Sequence, residues 1–195
     1  HMTVKADRNL MWDKLRRILH HNREFPDAEW RLPDPVLERL DVIYNRFEPA
    51  DPLERMAWLF QNGVQLPNPS AGGWEASQRD VEAAQIQAAR MLFKDEGIAS
   101  VLALARLTER PGYLGKAVYD AGFPASDIDA LIEAAVRSND LRERDVAHGL
   151  IVAAFCDRGK GWGADLITKA RTLAWGDTAV ITILRALPIS RWTWE

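Results

Sequence analysis

Apolar side chains recur along this chain at steps of three, four and seven residues, segment after segment, and that spacing gathers them on one side of a 3.6-residue helix. The pattern is clearest over residues 74–109. There Trp74, Val81, Ala84, Ala88, Met91 and Leu92 share a stripe, with Arg79, Glu82, Gln85 and Gln87 opposite. Gly97 suits a helix end, because glycine takes left-handed backbone without a Cβ penalty. A second arm follows, with Ile98, Val101, Leu102, Leu104 and Ala105 spread round its circumference. A helix apolar on every side must be covered on every side. This arm is therefore expected to be the most buried, with Leu102 in its core.

The same reading extends both ways. Upstream, a helix over residues 7–24 turns Trp12, Leu15, Ile18 and Leu19 inward. Asp34-Pro35 and Asp51-Pro52 are cap-then-proline starts, opening helices with Val36, Leu37, Leu40, Ile43, Tyr44 and Phe47 in one, and Leu53, Met56, Ala57 and Phe60 in the other. Trp58 and Leu59 lie off that last stripe, so the helix is either covered on two sides or shows a patch. Downstream, Pro111 starts a short helix (Leu114, Ala117, Val118, Ala121) that Gly122 ends. Ser126 with Asp129 and Asp140 with Glu143 resemble capping boxes. They precede apolar helices carrying Ile128, Leu131 and Ile132, and then Val146, Leu150 and Ile151. A helix with Leu166, Ile167 and Ala170 and a last one from Asp177 to the stop at Pro188 complete the series. Thr182 among Val180, Ile181 and Ile183 could signal a strand, but the cap before it and the Leu-Arg-Ala-Leu after it favour helix.

The fold class that follows is all-α: about ten helices, as antiparallel hairpins stacked into a short α–α superhelix. Residues 62–73, NGVQLPNPSAGG, hold two prolines and three glycines and form the one long loop. That loop divides an N-terminal three-helix unit (1–73) from a helical-repeat unit (74–195), unless the two run together as one continuous domain. Trp192 and Trp194 at the tail are costly to leave in water, which suggests a piece of a longer chain.

Charge changes the picture little. The formal net charge of −3 is spread evenly along the sequence. No basic arm stands out, which argues against nucleic acid as a partner. The longest apolar run, residues 149–156, is far below the roughly 20 residues that span a bilayer, so no membrane partner is expected. The single cysteine, Cys156, cannot form an internal disulfide, which fits a reducing, cytoplasmic setting.

Candidate chemistry is sparse. Gly159, Gly161 and Gly163 with Arg158 and Lys160 make a candidate anion site, since glycine-rich turns at helix starts offer backbone N–H groups to phosphate. The Gly-x4-Gly-Lys order is missing, however, and a flexible helix–helix turn is the plainer reading. His20 and His21 sit about 100° apart on a helix, cannot grip one metal together, and read as surface residues. Asp145 and His148 lie one turn apart with no nucleophile placed for them, and Cys156, after Ala153, Ala154 and Phe155, reads as an inert core thiol. No catalytic residue, metal or cofactor is therefore expected. Tryptophan is enriched in binding hot spots, and Trp58, Trp162, Trp175, Trp192 and Trp194 are the candidate partner-binding residues.

Helical pairs begin near Trp74, Gly112 and Leu141 without a self-similar signature. With Asp51-Pro52 before Trp58-Leu59-Phe60, Gly161-Trp162, and Ala186-Leu187-Pro188 leading to Trp192-Thr193-Trp194, the texture resembles HEAT- or TPR-like repeat regions of large multidomain bacterial proteins, including NTPase-type signalling and defence proteins. The tryptophan, glycine and alanine pattern of a TPR unit is absent. The resemblance implies a non-enzymatic scaffold or sensor module that binds a protein partner or a neighbouring domain of a longer chain. The alternative is a regulatory or catalytic domain recognising a phosphorylated small molecule near Gly159.

Overall fold

Every regular element among the described residues, 2–70 and 72–188, of the computed structural model is helical. The α-helices are α1 (Met2–Glu24), α2 (Asp34–Phe47), α3 (Pro52–Ala57), α4 (Gly73–Ala105), α5 (Pro111–Asp120), α6 (Ala125–Val136), α7 (Leu141–Thr172) and α8 (Asp177–Ala186), with a 3₁₀ turn at Trp58–Phe60 after α3. Two are bent at one glycine, α4 at Gly97 (φ 69°, ψ −149°) and α7 at Gly159 (φ 75°, ψ −168°). The eight spans thus make ten helical arms. Backbone in that region is open to glycine at little cost, so one residue redirects each helix. At the first bend the Ser100 hydroxyl spans the joint, donating to the carbonyls of Gly97 (2.8 Å) and Leu92 (3.2 Å).

The chain divides into two units, His1–Leu59 with Gly63–Ala84, and Phe60–Asn62 with Gln85–Glu195. In the first, Trp12, Leu15 and Leu19 of α1 are buried with Leu37 of α2 and Met56, Ala57 and Leu59. Trp12 stacks on Tyr44 (5.4 Å) and meets Trp58 edge-on (6.0 Å), while the Arg16 guanidinium lies 4.1 Å over the Trp58 ring. Leu59 is buried and Trp58 is half-buried against Trp12 and Arg16, so that stretch is covered on two sides rather than showing a bare patch.

The long loop is strapped to α1 through successive carbonyls. Arg16 donates to Gln65 O (2.8 Å), His20 Nδ1 to Leu66 O (2.7 Å) and Arg23 to Pro67 O (3.0 Å). A loop without secondary structure must find donors for its carbonyls elsewhere, and three residues four and three apart on α1 supply them. His20 is consequently buried, correcting the expectation of a surface residue; His21 is exposed and stacks on Trp30 at 4.4 Å.

Burial pushes the Tyr44 phenol up to about 12, with Arg16 pulling partly the other way. A folded chain that holds this proton is favoured below the unfolded phenol value of about 10, and the advantage is lost as pH rises through about 12. Alkaline titration followed by tyrosinate absorbance should show a last-ionising phenol, absent in Tyr44→Phe. A Tyr44 that ionises together with the exposed Tyr113 would contradict its burial.

In the second unit α5, α6 and α8 all pack on α7. The core holds Leu104, Leu114, Val118, Ile128, Leu131, Ile132, Val146, Leu150, Ile151 and Ile183. Asp140 caps α7 by accepting from Arg142 N (2.8 Å) and Glu143 N (3.4 Å). Glu143 does not close the box; it pairs with Arg106 at 2.6 Å. The other expected box is also absent, since α6 starts one residue before Ser126 with Pro124 at its cap position. Thr182 is helical and donates to Thr178 O.

Sidedness corrects several expectations. Trp74 is 78% exposed, and Ile18, Val36, Ile43 and Met91 are exposed too. In the arm after Gly97, Val101, Leu104 and Ala105 are wholly buried while Leu102 is only half-buried and Leu107 is exposed, so that arm has a bare side.

Candidate functional site

Three glycines mark a close helix crossing, and two of them, Gly112 and Gly149, floor a concavity of the second unit. Gly112 and Gly115 lie on α5 and Gly149 on α7, and the two backbones meet there. A Cβ on Gly149 would lie 2.7 Å from the carbonyl carbon of Gly112, and one on Gly115 would lie 2.9 Å from Leu150 N. Side chains flanking this crossing enclose a groove of about 990 Å³. Its lining includes Pro111, Gly112, Gly149, Val152 and Ala153. Tyr113, Lys116, Tyr119 and Asp120 come from α5, and Asp145, His148, Cys156 and Asp157 from α7. A backbone floor between side-chain walls is what close approach at glycine produces.

The walls are partly fixed. The Tyr119 hydroxyl donates to Asp157 Oδ2 at 2.7 Å, and the Arg158 guanidinium lies 5.8 Å from the same ring. Burial, then that bond to Asp157, raises the Tyr119 phenol above its ordinary range. Lys116 pairs with Asp120 at 2.6 Å along α5. At the far end Arg110 donates to Asn62 Oδ1 (2.6 Å), whose amide nitrogens donate to Glu109. A smaller cleft of about 180 Å³ between α7 and α8 shares Asp145 and His148 with the groove.

The structure brings Asp145, His148 and Cys156 to one groove, a juxtaposition that helical spacing alone half concealed. Cys156 is exposed, not the inert core thiol expected. No cluster of three or more His, Cys, Asp or Glu that could hold a metal ion occurs among the described residues.

The glycine cluster differs from expectation as well. Gly159 alone leaves helical geometry, and Gly161 and Gly163 continue α7, so a single-residue joint replaces the flexible turn. Arg158 is paired with Asp129 (3.2 Å) and lies 5.5 Å from the Trp162 ring; Lys160 is exposed. Trp58 and Trp162 are half-buried. Trp175 is buried, folded back where Ala174 takes left-handed backbone (φ 49°) and Trp175 N reaches Ala170 O, with Lys169 5.3 Å above its ring. Trp192 and Trp194 lie outside the described residues.

The tyrosines and the glycine crossing do not stand out in the apolar periodicity of the chain. The available signal was Gly112 and Gly115 three residues apart at the start of one helix, and Gly149 inside an apolar run of another. No helix among the described residues is long and apolar enough to cross a membrane. Comparison with protein-family models, with curated proteins and with solved structures found no match to this chain.

Proposed function

We propose that the chain is a non-enzymatic recognition module whose α5–α7 groove takes a segment of a partner protein or of a neighbouring domain in a longer chain. The observation that carries this reading is the groove itself: about 990 Å³, floored by glycine backbone and walled by tyrosines. Tyrosine supplies large contact area at low conformational cost, and a floor without side chains lets the backbone or a small residue of the occupant approach closely. Val152 and Tyr113 are exposed apolar groups in this lining, the kind of surface that a partner desolvates. The reading has the module working in the cytoplasm, where a lone exposed thiol such as Cys156 stays reduced.

Val152→Arg puts a long charged side chain in the groove from a position that is already exposed. It should abolish capture of host proteins by the intact chain while leaving the melting temperature within about 1–2 °C, the range of a neutral surface change. Captured proteins that are retained by this variant would remove the groove from consideration.

A further inference from the structure

A second surface, on the first unit, carries an apolar and cationic face that nothing in the groove reading uses. At about 100° per residue, Leu10, Met11, Lys14, Arg17, Ile18 and His21 fall within about a third of the circumference of α1, and all six are exposed. Val36, Arg39, Val42, Ile43 and Arg46 occupy a similar arc of α2, again all exposed. Met11 and Phe47 line one cleft of about 440 Å³ between the helices, so the two faces border each other. Arg8 fixes the pair by donating to the carbonyls of Arg46 (2.7 Å) and Glu48 (3.3 Å) at the end of α2. Beyond α1, Phe25 and Trp30 extend the apolar strip, in edge contact at 6.1 Å and both exposed.

The charge on this face is predominantly positive. Lys14, Arg17, Arg39 and Arg46 stand on it, with Asp7 the one carboxylate in either arc, although the whole chain is net negative at −3. Asp13, Glu38 and Asp41 interleave with the cations in sequence but point to other sides of the helices, and Asp13 and Asp41 pair with Arg17 and Arg23. Arg17 is thus already paired, and large apolar side chains left in water beside the remaining cations, Lys14, Arg39 and Arg46, mark an interaction site.

We infer that the α1–α2 face docks an acidic amphipathic helix of a partner protein. Two neighbouring helices with a cleft between them present ridges and a groove that a third helix can fill. Apolar residues of that helix would cover Met11, Ile18, Val36 and Ile43, and its carboxylates would meet Lys14, Arg39 and Arg46. Opposite charge at the rim sets partner choice and register more than raw affinity.

The test uses the full chain and two fluorescein-labelled 18-residue helical peptides, one with a leucine stripe flanked by glutamates and the other with lysines replacing them. Vesicles of phosphatidylcholine with phosphatidylserine serve as the anionic alternative. Anisotropy should show binding of the glutamate peptide at least tenfold tighter than the lysine peptide. Arg39→Glu with Arg46→Glu should abolish that preference while the circular dichroism spectrum stays unchanged, and Ile43→Ser should weaken both peptides. Equal binding of the two peptides, no binding of either, or co-sedimentation with the vesicles in place of peptide binding would overturn the inference. Val152→Arg should leave the peptide result untouched, which separates this surface from the groove.

Discussion

Gly149→Ala should destabilise the second unit by about 3 kcal/mol, at the upper end of what overpacking costs, while Gly161→Ala should stabilise it by about 0.8 kcal/mol. The two glycines sit in the two arms of α7, on either side of the bend at Gly159, and intrinsic propensity favours alanine over glycine in helices by about 0.8–1 kcal/mol. Their surroundings set opposite signs. An added Cβ at Gly161 meets nothing within 4 Å. At Gly149 it would lie 2.7 Å from the carbonyl carbon and 3.0 Å from the Cα of Gly112, and nearer still to the carbonyl oxygen. Those are backbone atoms of a packed helix and cannot swing aside, so α5 must move off α7. Gly115→Ala should behave like Gly149→Ala, since its Cβ would lie 3.0 Å from the Val146 carbonyl carbon, whereas Gly112→Ala, with Asp145 O at 3.6 Å, should be tolerated. Thermal melts of the four variants check this directly; a stable Gly149→Ala would mean that α5 and α7 are farther apart than described.

Leu104→Asp should leave no cooperatively folded second unit, and Leu102→Asp should leave a folded one with a lower melting temperature. Leu104 is wholly buried, so the substitution strands an unpaired charge and also removes a core side chain, whose loss to alanine alone costs about 2–5 kcal/mol. Leu102 is half-buried and a carboxylate there can reach water. Urea unfolding followed by far-ultraviolet circular dichroism distinguishes the two. Equal damage at both positions would show that the arm after Gly97 is covered all round, as its composition suggested.

That contrast shows what could be read from the chain and what could not. The helix start at Asp51-Pro52 and the break at Gly97 are local, written in a cap, a fixed φ or a missing Cβ; near Asp34-Pro35 the start is also where expected, but Asp34 is itself helical and Pro33, not Asp34, holds the cap position without a side-chain bond. The Asp51 side chain indeed accepts from Leu53 N at 2.9 Å. Periodicity also gives the stripe on each helix, but not which neighbour covers it. Trp74 and Ile18 lie on apolar stripes and yet face water. His20 resembled a surface residue because its partner, Leu66 O, lies 46 residues away in a loop.

The groove had the same fate. Its glycines are visible in sequence, but its depth arises only where Gly112 meets Gly149 across two separate helices. Cys156 was placed inside by its apolar neighbours, although two residues of helix turn it about 200° from buried Ala154. The cationic face of α1 and α2 was hidden by evenly mixed charge along the sequence, because charge averaged over a window ignores the side of the helix on which each residue stands.

Site-specific photocross-linking puts the groove to the sharpest test. Benzoylphenylalanine is introduced singly at Val152 in the groove and at Leu173 and Ile181, which are exposed on other parts of the second unit. Irradiation in the native host should give a discrete adduct from Val152, lost when Tyr113 and Tyr119 are both changed to serine, and none from Leu173 or Ile181. Adducts from Leu173 or Ile181 with none from Val152 would contradict the account.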